Sequence, residues 1–188
     1  MADYTVPREI VLPALGKNVT VHLVDGDKED SFLFMLGDYI VGELYIKNYH
    51  WCVGVFLYMK WPIKCIKRRM YIHFEDALLH ALWHITTFAK IIQAGHRSGY
   101  TLWNPIKNKD KSVKYAEQLS IGSGYKAPLA KVLIYKNGSM AGHLLLMPDI
   151  VHTVSIESNT DMEDPHQYLR EKMYVIATNM LVNMGILD

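Results

Sequence analysis

A single helical pattern between Phe74 and Ala94 limits the fold of this chain more than any other feature. Its apolar residues recur at spacings of three and four, as on one face of an amphipathic helix. Glu75 and Asp76 suit the positive end of the helix dipole, and Gly95 predicts the C-terminal end. Such a stripe has to be buried against a second layer of structure. The apolar positions are Phe74, Ala77, Leu78, Ala81, Leu82, Ile85, Phe88, Ala89 and Ile92.

Strand-like segments precede this helix. Val19–Leu23 alternates apolar and polar residues, while Tyr39–Ile46 and Trp51–Met59 are rich in β-branched and aromatic side chains. Glu9–Leu12 and Ile63–Ile72 are two further candidates. We therefore expect a group of strands in front of the helix.

More strands are predicted behind the helix. Ala130–Tyr135 and Ala141–Met147 flank an Asn-Gly pair, which is the strongest short hairpin signal, and Val151–Ile156 is a further strand. Before them, Gly95–Asp110 is predicted to be a long connection and Lys111–Leu119 a short helix.

The last predicted element is a helix from about Pro165 to Met184. Asp164 fits its N-cap, proline suits its first position, and Gly185 is a C-terminal stop. An apolar stripe along it is expected to pack on a sheet. The stripe consists of Leu169, Met173, Ile176, Met180 and Met184.

The order of these elements predicts an α+β fold in one domain spanning residues 1–188. Strands and helices do not alternate strictly, which favours a largely antiparallel sheet backed by two long helices, about 74–94 and 165–184. Half of the residues are hydrophobic, enough for a sizeable core. No charge-free apolar run reaches the length of a membrane span and the N-terminus does not resemble a secretory signal, so we expect a cytoplasmic protein with no membrane partner.

Charge is segregated along the chain behind a formal net charge of +1. Residues 1–46 carry −5, residues 47–136 carry +11 and residues 137–188 carry −5. Either the acidic ends fold over the basic middle, or the middle presents a basic face to an anionic macromolecule or partner protein.

The middle contains a basic segment with interleaved aromatic residues. Five cations and no acid lie between residues 60 and 69, a composition typical of single-stranded nucleic acid binding. The alternative is a strand edge protected by positive charge. Further cations follow, including one after a glycine-rich turn that could hold a phosphate. The candidate binding residues are Lys60, Trp61, Lys64, Lys67, Arg68, Arg69, Arg97, Lys107, Lys109 and Lys126.

Three residues on one face of the first helix could bind a metal. Asp76, His80 and His84 follow each other at spacings of four, so they share a helix face and could converge on a divalent cation. The same histidines border the apolar stripe, where they could instead be interfacial residues.

Two short motifs resemble those of the 2H phosphodiesterase group. His84-Ile-Thr86 has the form His-x-Thr, and His152-Thr-Val-Ser155 lies downstream. The resemblance implies that His84 and His152 act as acid and base on a phosphodiester, with Thr86 beside them. The sequence departs from the pattern at Val154, which takes the place of the second hydroxyl residue, and His84 falls in a predicted helix, whereas the motifs of this group lie on strands.

Three functional hypotheses follow. The first is a non-catalytic binding or accessory protein that recognises an anionic partner through its basic middle. The second is a small histidine-dependent hydrolase or phosphodiesterase, with or without metal, that acts on a phosphorylated or nucleotide ligand. The third is an assembly subunit, for example of a homo-oligomer, that uses its methionine-rich C-terminal helix. We favour the first, because no catalytic group is complete in the sequence.

Overall fold

The computed structural model describes residues 6–57, 69–122, 126–147 and 152–188. In these ranges six strands precede the first helix, and five more lie between the two helices. The strands are β1 (Glu9–Leu12), β2 (Val19–Asp25), β3 (Ser31–Leu36), β4 (Tyr39–Lys47), β5 (His50–Val55), β6 (Arg69–Tyr71), β7 (Thr101–Pro105), β8 (Val113–Ile121), β9 (Ala127–Tyr135), β10 (Met140–Leu144) and β11 (Thr153–Ile156). The helices are α1 (Phe74–Arg97) and α2 (Pro165–Asn183).

The predicted α+β class is confirmed, with strands in two separate antiparallel sheets. The first sheet has the order β1-β2-β3-β4-β5-β6, and the second has the order β11-β10-β9-β8-β7. Each described strand pairs only with its neighbours along the chain, so both sheets are meanders. One helix follows each sheet in the chain, and the buried residues of both sheets and both helices form one contiguous core.

The first sheet buries its apolar face against α1. Alternation along β2 and β3 places Val21, Leu23 and Phe34 in the core, each at most 2% exposed. Phe74, the first residue of α1, packs edge-to-face on Trp51 of β5 with ring centroids 5.0 Å apart. The helix therefore begins directly on the sheet.

Helix α1 is longer than predicted, because Gly95 is not its stop. The helix ends at Arg97, where the Ser98 N–H donates to the carbonyl of Ala94, and Gly99 follows with a positive φ of 66°. Gly95 instead allows close packing on the end of β8. A Cβ added there would lie 2.6 Å from the backbone nitrogen of Gly122, so only glycine fits without movement.

Two predictions about the second sheet are wrong. Residues 113–121 form strand β8 where a short helix was expected, and the expected long connection contains β7. Apolar or aromatic residues occupy every second position of β8 except 117, and this period-2 pattern matches its interior place between β7 and β9. The hairpin prediction is confirmed, since β9 and β10 join through Gly138 at a φ of 90°.

Helix α2 packs on the second sheet as its stripe predicts. The Asp164 side chain accepts a hydrogen bond from the Gln167 N–H at 2.9 Å and caps the helix. Gly142 of β10 makes room for Met173, because an added Cβ would lie 2.7 Å from its sulfur. Met173, Met180 and Met184 are at most 4% exposed, so these methionines fill the core and offer no surface to another subunit.

One side chain, Gln93 of α1, connects the segments around the core. Its Oε1 accepts from the Leu15 N–H, and its Nε2 donates to the carbonyls of Lys17 and Ile186, all at 2.9 Å. The glutamine is 4% exposed and joins the β1–β2 loop, α1 and the C-terminal tail. Within the described ranges, neither helix has the combination of length and apolar composition that a bilayer span requires.

Candidate functional site: a cleft on the first helix

An open cleft of about 670 Å³ lies on α1 beside the two edge strands of the first sheet. Leu12 of β1 lines it from one side and Tyr71 of β6 from the other. Both ends of a six-stranded sheet thus reach the same helix, which requires a strongly curled sheet. The remaining lining residues lie on one face of α1 and are Asp76, Leu79, His80, Leu82, Trp83 and Thr86.

Large apolar side chains are exposed in this cleft. Leu79 is 64% exposed and Trp83 is 55% exposed, although both lie on the helix that forms the centre of the core. Met70 and Ile72, on either side of Tyr71, are also exposed, but strand alternation turns Met70 to the face of β6 opposite Tyr71, outside the cleft. A group of exposed large apolar residues beside a cleft is typical of an interaction surface.

Four rings form a continuous row in the cleft. Tyr71 contacts His80 with centroids 5.5 Å apart, His80 contacts His84 at 4.6 Å, and Trp83 packs edge-to-face on His84 at 4.8 Å. The Nε2 atoms of the two histidines are 3.1 Å apart, which is a hydrogen bond when one ring donates and the other accepts. The row keeps Trp83 in place at the surface while His84 is buried beneath it.

Both histidines are held in their neutral form. Burial lowers the pKa of His84 to about 4, with further lowering by His80 and Arg69. Burial and the nearby Arg69 also lower the pKa of His80. Arg69 pairs with Val53 of β5, so its side chain lies on the face of β6 that is turned towards α1. Arg69 is therefore a positive charge close to the two histidines, while Asp76 in the lining places a carboxylate in the same cleft.

Acid should destabilise the protein through His84. A histidine with a lowered folded-state pKa adds stability that is fully present above its unfolded value of about 6.5 and is lost as the pH falls towards 4. The loss reaches up to about 3 kcal/mol. The free energy of unfolding, measured with urea at pH 7 and pH 4, should fall less between these two pH values in His84→Phe than in wild type. His96→Phe, at an exposed position of α1, should match wild type, and equal losses in all three proteins would contradict this role.

The metal hypothesis finds no support in the described residues. Asp76 and His80 both line the cleft, and His84 contacts His80. Across the described ranges, however, no three His, Cys, Asp or Glu side chains are grouped as a metal ion requires. The two imidazoles are hydrogen-bonded to each other, and the metal site stays a prediction.

The residues of the phosphodiesterase hypothesis lie on different elements. His84 and Thr86 are in α1, while His152 is exposed directly before β11 of the second sheet. The His84 ring contacts His80 and Trp83, and the described residues show no contact between His84 and His152. The hypothesis stays a prediction, without a described contact that joins its two histidines.

The predicted basic residues are distributed over several parts of the structure. Lys60, Trp61, Lys64, Lys67 and Arg68 lie outside the described residues. Arg69 is at the cleft, whereas Arg97 lies at the far end of α1, roughly 25 Å from His80 along the helix axis. Lys107 and Lys109 are exposed between β7 and β8, and Lys126 is exposed before β9. The chain connects the basic segment directly to Arg69.

Sequence reasoning missed a buried ion-pair cluster under α2. Glu117 of β8 is fully buried and accepts hydrogen bonds from His166 at 2.6 Å and from Nε and Nη2 of Arg170 at 2.7 and 2.5 Å. Burial alone would raise the pKa of Glu117, but the hydrogen bonds from Arg170 and His166 outweigh it and lower that pKa. The cluster secures α2 on the sheet. Glu117 interrupts the apolar positions of β8. Because this segment was predicted to be a helix, its pairing with neighbouring strands, and so the position of Glu117 under α2, was not predicted.

Comparisons with protein-family models, with curated proteins and with solved structures found no match to this chain. The functional conclusion therefore depends on the geometry of the site.

Proposed function

We propose that this protein is a non-catalytic binding protein whose cleft on α1 holds an acidic, partly apolar segment of a partner protein. The observation that carries the proposal is the exposure of Leu79 and Trp83 beside the positive charge of Arg69. As part of the same proposal, the protein acts in the cytosol, and its described cysteine, Cys52, is a free thiol.

The apolar part of the partner is inferred from the cleft lining. Leu12, Leu79 and Leu82 supply aliphatic surface, and Tyr71 and Trp83 supply aromatic surface. Burying such residues on association is favourable at about 25 cal/mol per Å² of apolar area. Exposed tryptophan is also the residue type most enriched among binding hot spots.

The acidic character of the partner is inferred from charge. Arg69 acts on both histidines, so its field reaches across the ring row. Four further cations lie between residues 60 and 68 and are connected to it directly in the chain. A carboxylate placed near Arg69 gains a charge-assisted hydrogen bond and faster association.

Nucleic acid is the competing anionic partner. Aromatic stacking and cations would both suit single-stranded nucleic acid. The aliphatic share of the lining favours protein, because leucine side chains offer bases no stacking platform. Nucleic acid binding is therefore an outcome of the test below and not part of the proposal.

Selection from a random peptide library tests the proposal without a known partner. The immobilised full chain should enrich peptides that combine Leu, Ile, Phe or Trp with Asp and Glu. Parallel selection on Trp83→Ala should lose these peptides. Enrichment of the same peptides on both proteins, or of peptides without acidic residues, would contradict the proposal. The proposal would also be contradicted if the selection enriched no acidic peptide while a single-stranded oligothymidine bound in a Trp83-dependent way.

A further inference from the structure

The two edge strands of the first sheet border the cleft on α1. Leu12 of β1 and Tyr71 of β6 both line it, together with the exposed Leu79 and Trp83 of α1. Among the described residues, β1 pairs only with β2, and β6 pairs only with β5. The curled sheet therefore stops short of closing around the helix, and the cleft lies beside strands that each keep one free edge.

The free edge of β1 presents backbone groups that the sheet does not use. The Leu23 N–H donates to the carbonyl of Arg8 at 3.0 Å, so these two opposite residues form a hydrogen-bonded pair. Such pairs alternate along antiparallel strands, and the next one joins Ile10 to β2. The N–H and C=O groups of Glu9 and Val11 therefore point away from β2, towards the free edge.

This edge is accessible. Glu9 is exposed, and Val11, which is uncharged, is 54% exposed. No described residue forms a hydrogen bond with the outward backbone groups of either one. Pro7 and Pro13 lie beyond the two ends of β1 and have no N–H, so they confine any pairing to the span between them.

A segment paired with β1 would place every second side chain in the cleft. Leu12 is 6% exposed and Ile10 packs against the core, so one face of β1 is turned inwards. Alternate side chains of an added strand share that face and would reach Leu79 and Trp83. Arg69 of β6, on the other side of the cleft, would attract carboxylates among them.

We propose that the partner segment binds in an extended conformation, as a seventh strand on the free edge of β1, with alternate side chains packed on Leu79 and Trp83. This inference rests on the proposed function of the cleft and adds how the segment is held. Main-chain hydrogen bonds with Glu9 and Val11 supply affinity, and the side chains that face α1 supply specificity. A helix laid in the cleft is the competing arrangement, and it would leave the β1 edge unpaired.

Val11→Pro tests the added strand, because it removes an outward N–H without removing a hydrogen bond between β1 and β2. Proline is tolerated at such a position of an edge strand. The affinity of the full chain for a synthetic acidic peptide from the selection above should fall by about tenfold, as expected for one lost hydrogen bond. Val11→Thr keeps the N–H and a side chain of the same shape, and it should bind as wild type does. Urea unfolding establishes that both variants are folded.

N-methylation of the peptide gives a second readout on the unmodified protein. One methyl group is placed on each backbone nitrogen in turn. Binding should weaken only at alternate positions, because a strand directs successive N–H groups to opposite edges. A helical peptide would instead be weakened at successive interior positions, since each N–H there bonds within the helix.

The inference is overturned if Val11→Pro and Val11→Thr bind the peptide equally well, or if N-methylation weakens binding without a period of two. A peptide that still requires Trp83 in either case leaves the proposed function of the cleft intact. If the selection yields no Trp83-dependent peptide, the proposed function fails, and the added strand fails with it.

Discussion

Replacement of Arg170 by methionine is expected to lower the free energy of unfolding by about 3–5 kcal/mol, the usual cost of breaking a buried ion pair from one side. Glu117 is fully buried and receives two of its hydrogen bonds from this guanidinium. Arg170 also lies over the ring of Trp103, 5.7 Å from its centroid. Without the arginine, the carboxylate keeps His166 and Tyr115 as its hydrogen-bond partners.

Urea unfolding with a matched control measures this effect. Lys172→Met changes an exposed cation on the same helix and should alter stability by no more than about 0.5 kcal/mol. Adding Glu117→Gln to Arg170→Met should recover part of the loss, because a buried amide costs less than a buried charge. Equal stability of Arg170→Met and Lys172→Met would refute the role assigned to the cluster.

The same variant should change its response to acid. In wild type the lowered pKa of Glu117 adds stability that is present above the unfolded value of about 4.3 and is lost as the pH falls below it. In Arg170→Met, burial dominates and raises that pKa, so protonation relieves the buried charge. The difference in stability between the two proteins should therefore be smaller at pH 4 than at pH 7.

Replacement of Gln93 by leucine should cost about 3 kcal/mol, because it leaves a buried carbonyl and two partly buried backbone groups without their partner. The substitution keeps an apolar side chain of similar size in the core, so packing alone predicts little change. The large effect expected comes from the three lost hydrogen bonds between α1, the β1–β2 loop and the C-terminal tail.

Lys90→Leu is the control for this variant, because Lys90 is exposed one turn earlier on α1. Amide hydrogen exchange gives an additional local readout, since the Leu15 N–H loses its acceptor and should exchange faster in Gln93→Leu. A decrease of less than about 1 kcal/mol in the free energy of unfolding, together with unchanged amide hydrogen exchange at Leu15, would be inconsistent with the connecting role of Gln93.

Local pattern predicted the helices and most of the first sheet. Apolar spacing located α1 and α2, and the cap at Asp164 formed as expected, because these signals act within a few residues. The reading of residues 111–119 as a helix failed because β8 is an interior strand of its sheet, paired on both sides. Its conformation is decided by pairing with β7 and β9, the strands before and after it in the chain, and this pairing overrides the local helix-like features of the segment.

The candidate sites were predictable only in part. His80 and His84 were recognised as residues of one helix face, but the approach of Leu12 and Tyr71 depends on the curl of the sheet. Burial decides the protonation of the histidine pair, and burial is a tertiary property.

The affinity of a selected acidic peptide for the full chain tests the central claim, the binding role of the α1 cleft, most directly. Trp83→Ala should weaken binding by at least about 30-fold, as expected of a hot-spot residue, and raised salt should weaken it further. Tyr49→Ala, which changes a 98% exposed aromatic residue in the β4–β5 turn, should leave the affinity unchanged. The claim is contradicted if Trp83→Ala and Tyr49→Ala bind the peptide equally well.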